Sequence, residues 1–458
     1  MKQISRRDFL RRTAAASAAL ALPASSWALA PGANGDIRVA VIGFNGRGGD
    51  HIEGFLRLPG VRVVALCDAD RNVLRAGEKR LEARGSKVSA YGDVRRLLED
   101  KAIDAVSTAT PNHWHALIAI WSCQAGKDVY VEKPVSHDVR EGRRIVEAAR
   151  AHGRIVQCGT QARSRPGVRE AMAMVREGRL GKVKLARGIC YKPRRSIGKT
   201  VGPQPVPEGI DYDLWTGPAP LKPLRRKNLH YDWHWIYDTG NGDLGNQGIH
   251  EMDLCRWALG ETRLSPRVIS VGGRFGYDDD GETPNTQIVF HDYDRAPLIF
   301  EVRGLPSRKE LQEKGWGLGD MDTFPGAPAH GGVGAVIVCE GGTLVIPSER
   351  GPVLYDPEGR KVRDFAGGGD HYANFIAAVR SRKVEDLTAD ILEGHLSSAL
   401  CHTGMISHRL GKAGSPGEIR EAIRGEKEAA ETFERFQAHL TANGIDLSLA
   451  RASLGPWL

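Results

Sequence analysis

Four stretches of this chain carry residue types that hold phosphates, a ribose and exchangeable protons. Gly43-Phe44-Asn45-Gly46-Arg47-Gly48 follows directly on the apolar run 37–42. A G-x-G-x-x-G turn in that position brings the backbone close to a pyrophosphate and opens a helix whose amides face it. Gly43 and Gly48 supply the outer glycines; Asn45 replaces the middle one, with Gly46 beside it. Asparagine tolerates left-handed backbone angles, so the turn is expected to survive. Asp68 ends the next apolar run, 61–67. An acidic residue there takes the ribose hydroxyls of NAD and disfavours the extra phosphate of NADP. Arg71 nearby keeps NADP as the weaker alternative. Thr110-Pro111-Asn112-His113 and Glu132-Lys133-Pro134 each close a further apolar run.

The elements that must position these groups alternate in type. The runs 37–42, 61–67, 104–110, 128–131 and 154–159 read as strands. Helices are expected at 49–58, from 113 to about 126, and at 139–152. This alternation predicts a doubly wound parallel sheet, which binds its ligands beyond the carboxyl ends of the strands. Gly43, Asp68, Thr110–His113 and Glu132–Pro134 all fall on that edge. An α/β Rossmann domain that binds NAD(P) is therefore expected over 36–160.

With these motifs in this order, the chain resembles the Gfo/Idh/MocA oxidoreductases, the family of glucose–fructose oxidoreductase and inositol dehydrogenase. The resemblance implies a second, α+β domain with a large, mostly antiparallel sheet, here over 161–415, followed by a helical tail over 416–458. Strands are expected at 183–192, 267–277, 285–293, 297–304 and 334–346, and helices near 371–383, 388–411 and 425–441. By resemblance, some of these helices return to the first domain. One sheet face should pack on helices and leave the other for a second subunit, so a homo-oligomer, dimer or tetramer, is expected.

The resemblance also assigns the chemistry. It sets Lys133 beside nicotinamide and substrate, with Pro134 typically cis, and makes Lys133 and His250 the catalytic candidates, Lys133 handling the proton. Asn246 stands one helical turn before His250, where the family has Asp. Asparagine carries no charge and takes no proton, but it can hydrogen-bond a sugar hydroxyl. Asp253 either orients His250 or serves as a structural cap. Trp233 and Trp235, in the aromatic run 231–237, suit either stacking on sugar rings or a core strand. Gln161, Arg163, Tyr191 and Lys192 are candidates for the cleft border. Arg194-Arg195 and Arg225-Arg226-Lys227 read as solvated loops. No zinc-like spacing of Cys and His appears, and no metal is expected.

These residues support an oxidoreductase with NAD as cofactor, acting on a secondary hydroxyl or ketone of a sugar, sugar acid or glycoside. One alternative is a glycosidase or lyase that uses transient oxidation and elimination; another is a non-catalytic sugar-binding protein. Ser5-Arg6-Arg7-Asp8-Phe9-Leu10, a short apolar run and small residues near Ala28 resemble a twin-arginine export signal over 1–30. They imply the twin-arginine translocation machinery as a partner and a periplasmic or otherwise exported location. Outside the cytoplasm free NAD is scarce, which implies a tightly held, recycled cofactor. The seven cysteines form no C-x-x-C pair, and folding before export would leave them buried and reduced.

At 458 residues, 41% hydrophobic and 26% charged, the chain has the make-up of a folded protein of two or three domains. Its formal charge of +8 suggests an anionic partner. Half of that excess comes from Lys2, Arg6, Arg7, Arg11 and Arg12 against Asp8 alone. The remainder is too slight to argue for nucleic acid.

Overall fold

In the first domain, six short strands alternate with helices. They are β1 (Ile37–Ile42), α1 (Arg47–Leu56), β2 (Val61–Cys67), α2 (Arg71–Glu82), β3 (Ser89–Tyr91), α3 (Val94–Glu99), β4 (Ala105–Thr108), α4 (Asn112–Gln124), β5 (Asp128–Val131), α5 (Val139–Ala151) and β6 (Val156–Cys158). The computed structural model describes residues 35–348 and 350–458. The twin-arginine stretch and its cleavage site lie outside the described residues. The strand order is β3-β2-β1-β4-β5-β6, all parallel. The central strands β1, β4 and β5 are almost wholly buried because helices cover both faces. The order reverses between β1 and β4, which opens a crevice at the ends of these strands. β3 and the helices flanking it went unread in the sequence, where Ser89–Tyr91 is too short and exposed to show a pattern.

The second domain begins with α6 (Pro166–Arg176) and β7 (Val183–Tyr191) and continues through α7 (Gly242–Asn246) and α8 (Gly248–Leu259). Next come β8 (Arg267–Gly273), β9 (Thr286–Asp292), β10 (Leu298–Arg303), the small hairpin β11 (Thr323–Phe324) and β12 (Ala327–Gly331), β13 (Val333–Cys339), β14 (Gly342–Pro347), β15 (Val353–Tyr355) and β16 (Lys361–Asp364). α9 (His371–Ser381), α10 (Ile391–Leu410), β17 (Lys412–Gly414), α11 (Pro416–Ala422), α12 (Lys427–Ala442) and β18 (Ala452–Leu454) complete it. The ten-stranded sheet has the order β16-β15-β14-β13-β7-β10-β9-β8-β18-β17. Only β7 and β10 run parallel. The single strand expected over 334–346 is a hairpin: β13 and β14 pair antiparallel around Glu340-Gly341. The tail is not purely helical, since β18 extends the sheet beside β8.

The inner face of this sheet packs on α6, α8 and α10 through Met172, Ile249, Met252, Leu298 and Leu400. The outer face, read from sequence as open to a second subunit, is covered by the chain itself. α12 lays Phe433, Phe436 and Leu440 over Ile269, Ile288 and Ile299, and the segment around β11–β12 lays Trp316 and Phe324 over Ile189 and Val336. α9 returns to the first domain, where Tyr372 and Phe375 meet Phe55 and Tyr130. All seven cysteines are buried and unpaired, and no helix among the described residues is long and apolar enough to cross a membrane.

Candidate active site

The turn after β1 is built by exclusion. Gly43 has φ +70°, and a Cβ there would lie 2.7 Å from the Thr110 side chain. A Cβ on Gly48 would lie 2.1 Å from the Gly43 carbonyl oxygen, so α1 can approach β1 only with glycine at that place. A Cβ on Gly46 would meet nothing within 4 Å; its open space is a cradle at the amino end of α1, whose amides have no side-chain cap. Asn45 does not adopt a left-handed angle. Gly43 takes the positive φ, so the expectation that Asn45 would need its tolerance is corrected.

A cavity of about 340 Å³ lies over this turn, lined by Gly43, Gly46, Arg47, Asp68, Thr110 and Pro111 among others. Asp68 accepts the Phe44 amide (3.2 Å) and the Asp70 amide (3.0 Å). A carboxylate has about four acceptor sites, so the remainder can serve a ribose. Burial pushes the Asp68 carboxyl upward against these bonds. Arg71 is exposed and does not line the cavity. The open cradle, the uncapped helix and Asp68 together fit a dinucleotide.

The far wall is a cap from the second domain, residues 204–240. It is tied down by Asn72 Nδ2 to Glu208 O (2.8 Å), Arg71 N to Gly209 O (3.0 Å), Asp211 N to Ala69 O (3.0 Å) and His230 Nε2 to Asp70 Oδ2 (2.9 Å). His113 lies with its ring nitrogens against the carbonyls of Thr239 (3.3 Å) and Trp215 (3.2 Å). Asn112 donates to Asn241 Oδ1 (3.0 Å). Thr110 and Pro111 therefore face the cavity, whereas Asn112 and His113 latch the cap rather than line it.

Beyond β5, Glu132 is the hub of a buried polar cluster. It accepts Arg47 Nε (3.0 Å), Gln161 Nε2 (3.0 Å) and the Lys133 amide (3.0 Å), and bonds His51 Nε2 (3.1 Å). His51 Nδ1 reaches Ser107 Oγ at 2.7 Å. Burial would raise the Glu132 carboxyl, but His51, Arg47 and Lys133 together hold it well below its usual range. The Lys133–Pro134 peptide is cis. Lys133 Nζ crosses to the second domain and donates to Asn246 O (2.7 Å) and Oδ1 (3.4 Å). Burial lowers its pKa, with the Arg47 charge acting in the same direction and Glu132 opposing.

Asn246 and His250 do not share one helix. α7 ends at Asn246, and α8 starts at Gly248 after Gln247. The break turns the Asn246 carbonyl toward Lys133, because the residue ends its helix with that carbonyl free of intrahelical bonding. His250 is half-buried, and burial followed by the Lys133 charge pushes it down to about 3. It is thus a neutral imidazole at ordinary pH.

Several sequence candidates lie elsewhere. Asp253 pairs with Arg163 in a buried bidentate bridge (2.8 and 2.9 Å) and accepts Ser397, so it neither orients His250 nor caps a helix. Arg163 is spent in that bridge. Tyr191 faces the outer side of the sheet, with its hydroxyl on Glu301 (2.8 Å). Trp235 is buried beneath Arg194, 4.9 Å from its guanidinium, while Trp233 lines the cavity. The 231–237 run is helical turns rather than a strand. Arg194 is no solvated loop residue: it forms a buried bidentate pair with Asp243 (2.7 and 2.6 Å). Arg226 is buried too, 5.0 Å over Trp215. His51 and His234 were not singled out from sequence. His51 follows Arg47 by one helical turn, a signal that was legible. His234 lies on Trp233 at 3.6 Å and lines the cavity; burial pushes it down to about 3.

Comparison with known proteins agrees with the two-domain fold. A family model described as "Oxidoreductase family, NAD-binding Rossmann fold" matches residues 37–160, and its companion, "Oxidoreductase family, C-terminal alpha/beta domain", matches 168–304. An alpha-N-acetylgalactosaminidase of Shewanella oneidensis is 32% identical over 208 residues, 40% of this chain and 45% of that one. An inositol 2-dehydrogenase of Saccharopolyspora erythraea is 29% identical over 227 residues, 49% of this chain and 54% of its own. The chain spans about half the length of the curated relatives it matches. Among solved structures, the WlbA dehydrogenase of Bordetella pertussis, in complex with NADH and UDP-GlcNAcA, superposes with a TM-score of 0.56 at 21% identity. That match covers 80% of this chain and 94% of the other.

Proposed function

This chain belongs to the Gfo/Idh/MocA oxidoreductase family, and on that premise we propose that it interconverts a secondary hydroxyl and a ketone on a sugar, sugar acid or glycoside. The observation that carries this reading is Lys133, an amine of lowered pKa held 2.7 Å from the neutral carbonyl of Asn246 and next in sequence to Glu132, which bonds the cavity-lining Arg47. NAD, when bound, supplies the hydride acceptor or donor. The chain's own part is to orient the reacting carbon and handle the hydroxyl proton. Lys133, once neutral, takes that proton. His250 and Asn246 hydrogen-bond neighbouring hydroxyls without competing for it. Glu132 keeps Lys133 and Arg47 in register from below.

The cap over the cavity favours a resident cofactor, in keeping with export through the twin-arginine pathway to the periplasm, which belongs to this proposal. Denaturing the purified protein and assaying the supernatant tests it: stoichiometric NAD(H) is expected, and an empty protein with weak NAD affinity would sink the recycling idea. Lys133→Met should abolish turnover while leaving nucleotide bound.

A second reading is favoured by the alpha-N-acetylgalactosaminidase relative. The same site would pass a hydride from a sugar carbon to bound NAD, lose the proton of the acidified adjacent C–H, eliminate the aglycone, add water to the resulting double bond and take the hydride back onto the ketone, so that the net change is hydrolysis. Release of free sugar from a glycoside with no oxidised product distinguishes this outcome.

A further inference from the structure

Side chains alternate across a strand, and along β7 this places Lys192 on the site side. A Cβ on Gly188 would lie 3.0 Å from Glu251 Cβ on α8, and Cys190 shares a core with Ile249 and Met252. Ile189 and Tyr191 face the opposite cluster with Trp316. The next residue in the alternation, Lys192, therefore points to the α8 side, its amide held by the Arg303 carbonyl (3.1 Å). Lys192 is half-buried. Its ammonium makes no ion pair or hydrogen bond among the described residues.

Glu132 lies behind Lys133 and favours its charged form, but no carboxylate among the described residues bonds Lys192. Lys133 donates only to the two neutral oxygens of Asn246. Glu251 is the acid in range of both ammonium groups, and it is 1% exposed with Oε2 unpartnered and Oε1 accepting Gln247 Nε2 at 3.3 Å. Burial pushes its carboxyl up to about 8, so it is largely neutral at pH 7. His234 and His250 are acceptors without charge. Elsewhere the buried guanidinium groups of Arg163, Arg187 and Arg194 each hold a carboxylate, as buried charges generally do. Lys192 has no such partner: its ammonium and that of Lys133 act on each other, and Glu251, the acid in range of both, is kept largely protonated by burial.

We propose that Lys192 is the carboxylate-recognition residue of this site and that the substrate is a sugar acid, a uronate or aldonate, bound through its carboxylate. This rests on the reading that Lys133 faces the substrate. Lys192 holds the anionic end, leaving Lys133 for the hydroxyl proton.

The test is calorimetric titration of the purified holoenzyme with D-glucuronate and D-galacturonate and with their uncharged methyl esters. A charge-assisted contact is worth roughly tenfold in affinity, so at least one acid should bind about tenfold more tightly than its ester. Lys192→Met should abolish that preference, and Lys192→Arg should keep part of it. Equal binding of acid and ester, failure of both acids to bind, or an unchanged preference in Lys192→Met overturns the proposal. Lys133→Met separates the two readings. Retained acid binding with lost turnover supports both, whereas retained turnover overturns the reading of Lys133 and leaves the Lys192 result standing.

Discussion

Lys133 Nζ donates to the main-chain carbonyl of Asn246 at 2.7 Å, and this single bond joins the end of β5 to the end of α7 across the two domains. The partner is a backbone oxygen rather than a carboxylate, and what favours the charged form of the amine is Glu132, with a smaller contribution from Glu251, neither bonded to Nζ. Reactivity of the amine is set by what position 246 does not carry.

Asn246→Asp should reverse this. A carboxylate beside Lys133 raises its pKa and reduces the neutral amine at a given pH. The acidic limb of a kcat/KM–pH profile should move to higher pH, and activity at pH 7 should fall. Asn246→Ala keeps the backbone acceptor and should leave the limb in place.

The glycines of the phosphate turn should separate by variant. Gly48→Ala forces a Cβ against the Gly43 carbonyl and should cost roughly 3 kcal/mol of stability, as overpacking does. Gly46→Ala fills only open space, so the melting temperature should hold while nucleotide retention drops. Thermal melts with and without added NAD distinguish the two.

Glu251 makes stability depend on pH. Its carboxyl, raised in the folded state to about 8, binds a proton that the unfolded chain has already released above its ordinary value. Its contribution is therefore full below about pH 4.5 and is lost as pH rises through 8. Glu251→Gln should melt together with the parent near pH 5 and above it at pH 8.5.

Glu301 has the opposite sign. Burial opposes its ionisation, but Arg187 and Arg435 hold it down at about 2. Its contribution is present above the ordinary carboxylate range and is lost as pH falls toward 2. Glu301→Ala strands a buried Arg187 and should cost about 3–5 kcal/mol in urea denaturation at pH 7. Since Arg435 lies on α12, the tail should loosen first from the sheet's outer face.

The cap predicts a kinetic effect. His230→Ala removes its bond to Asp70 and one tie at the ribose end. Bound nucleotide should exchange faster against labelled NAD, by a few-fold, with little change in melting temperature.

What the chain alone determined lies where a local pattern is also the physical cause. Gly43 is fixed by its own left-handed φ, and Gly48 by the Gly43 carbonyl five residues before it. Asp68 and Glu132–Pro134 sit at strand ends marked by continuous apolar runs, and parallel order follows from the alternation of strand and helix. The fold class and the nucleotide edge were thus readable, and so was Lys133, through a motif that ends one such strand. Only the tertiary structure decided which side of a strand a residue serves and which distant charge it meets. Tyr191 turned outward to Glu301 while Cys190, its neighbour, turned inward to Ile249 and Met252. Asp253 was claimed by Arg163, ninety positions away in the chain, and Arg194 by Asp243. The free sheet face was filled by a tail that carries no periodicity marking its destination. Burial of a charge requires a partner, and a partner brought close by folding has no fixed spacing in sequence; that is why the turn and the strand ends were legible and the ion pairs were not.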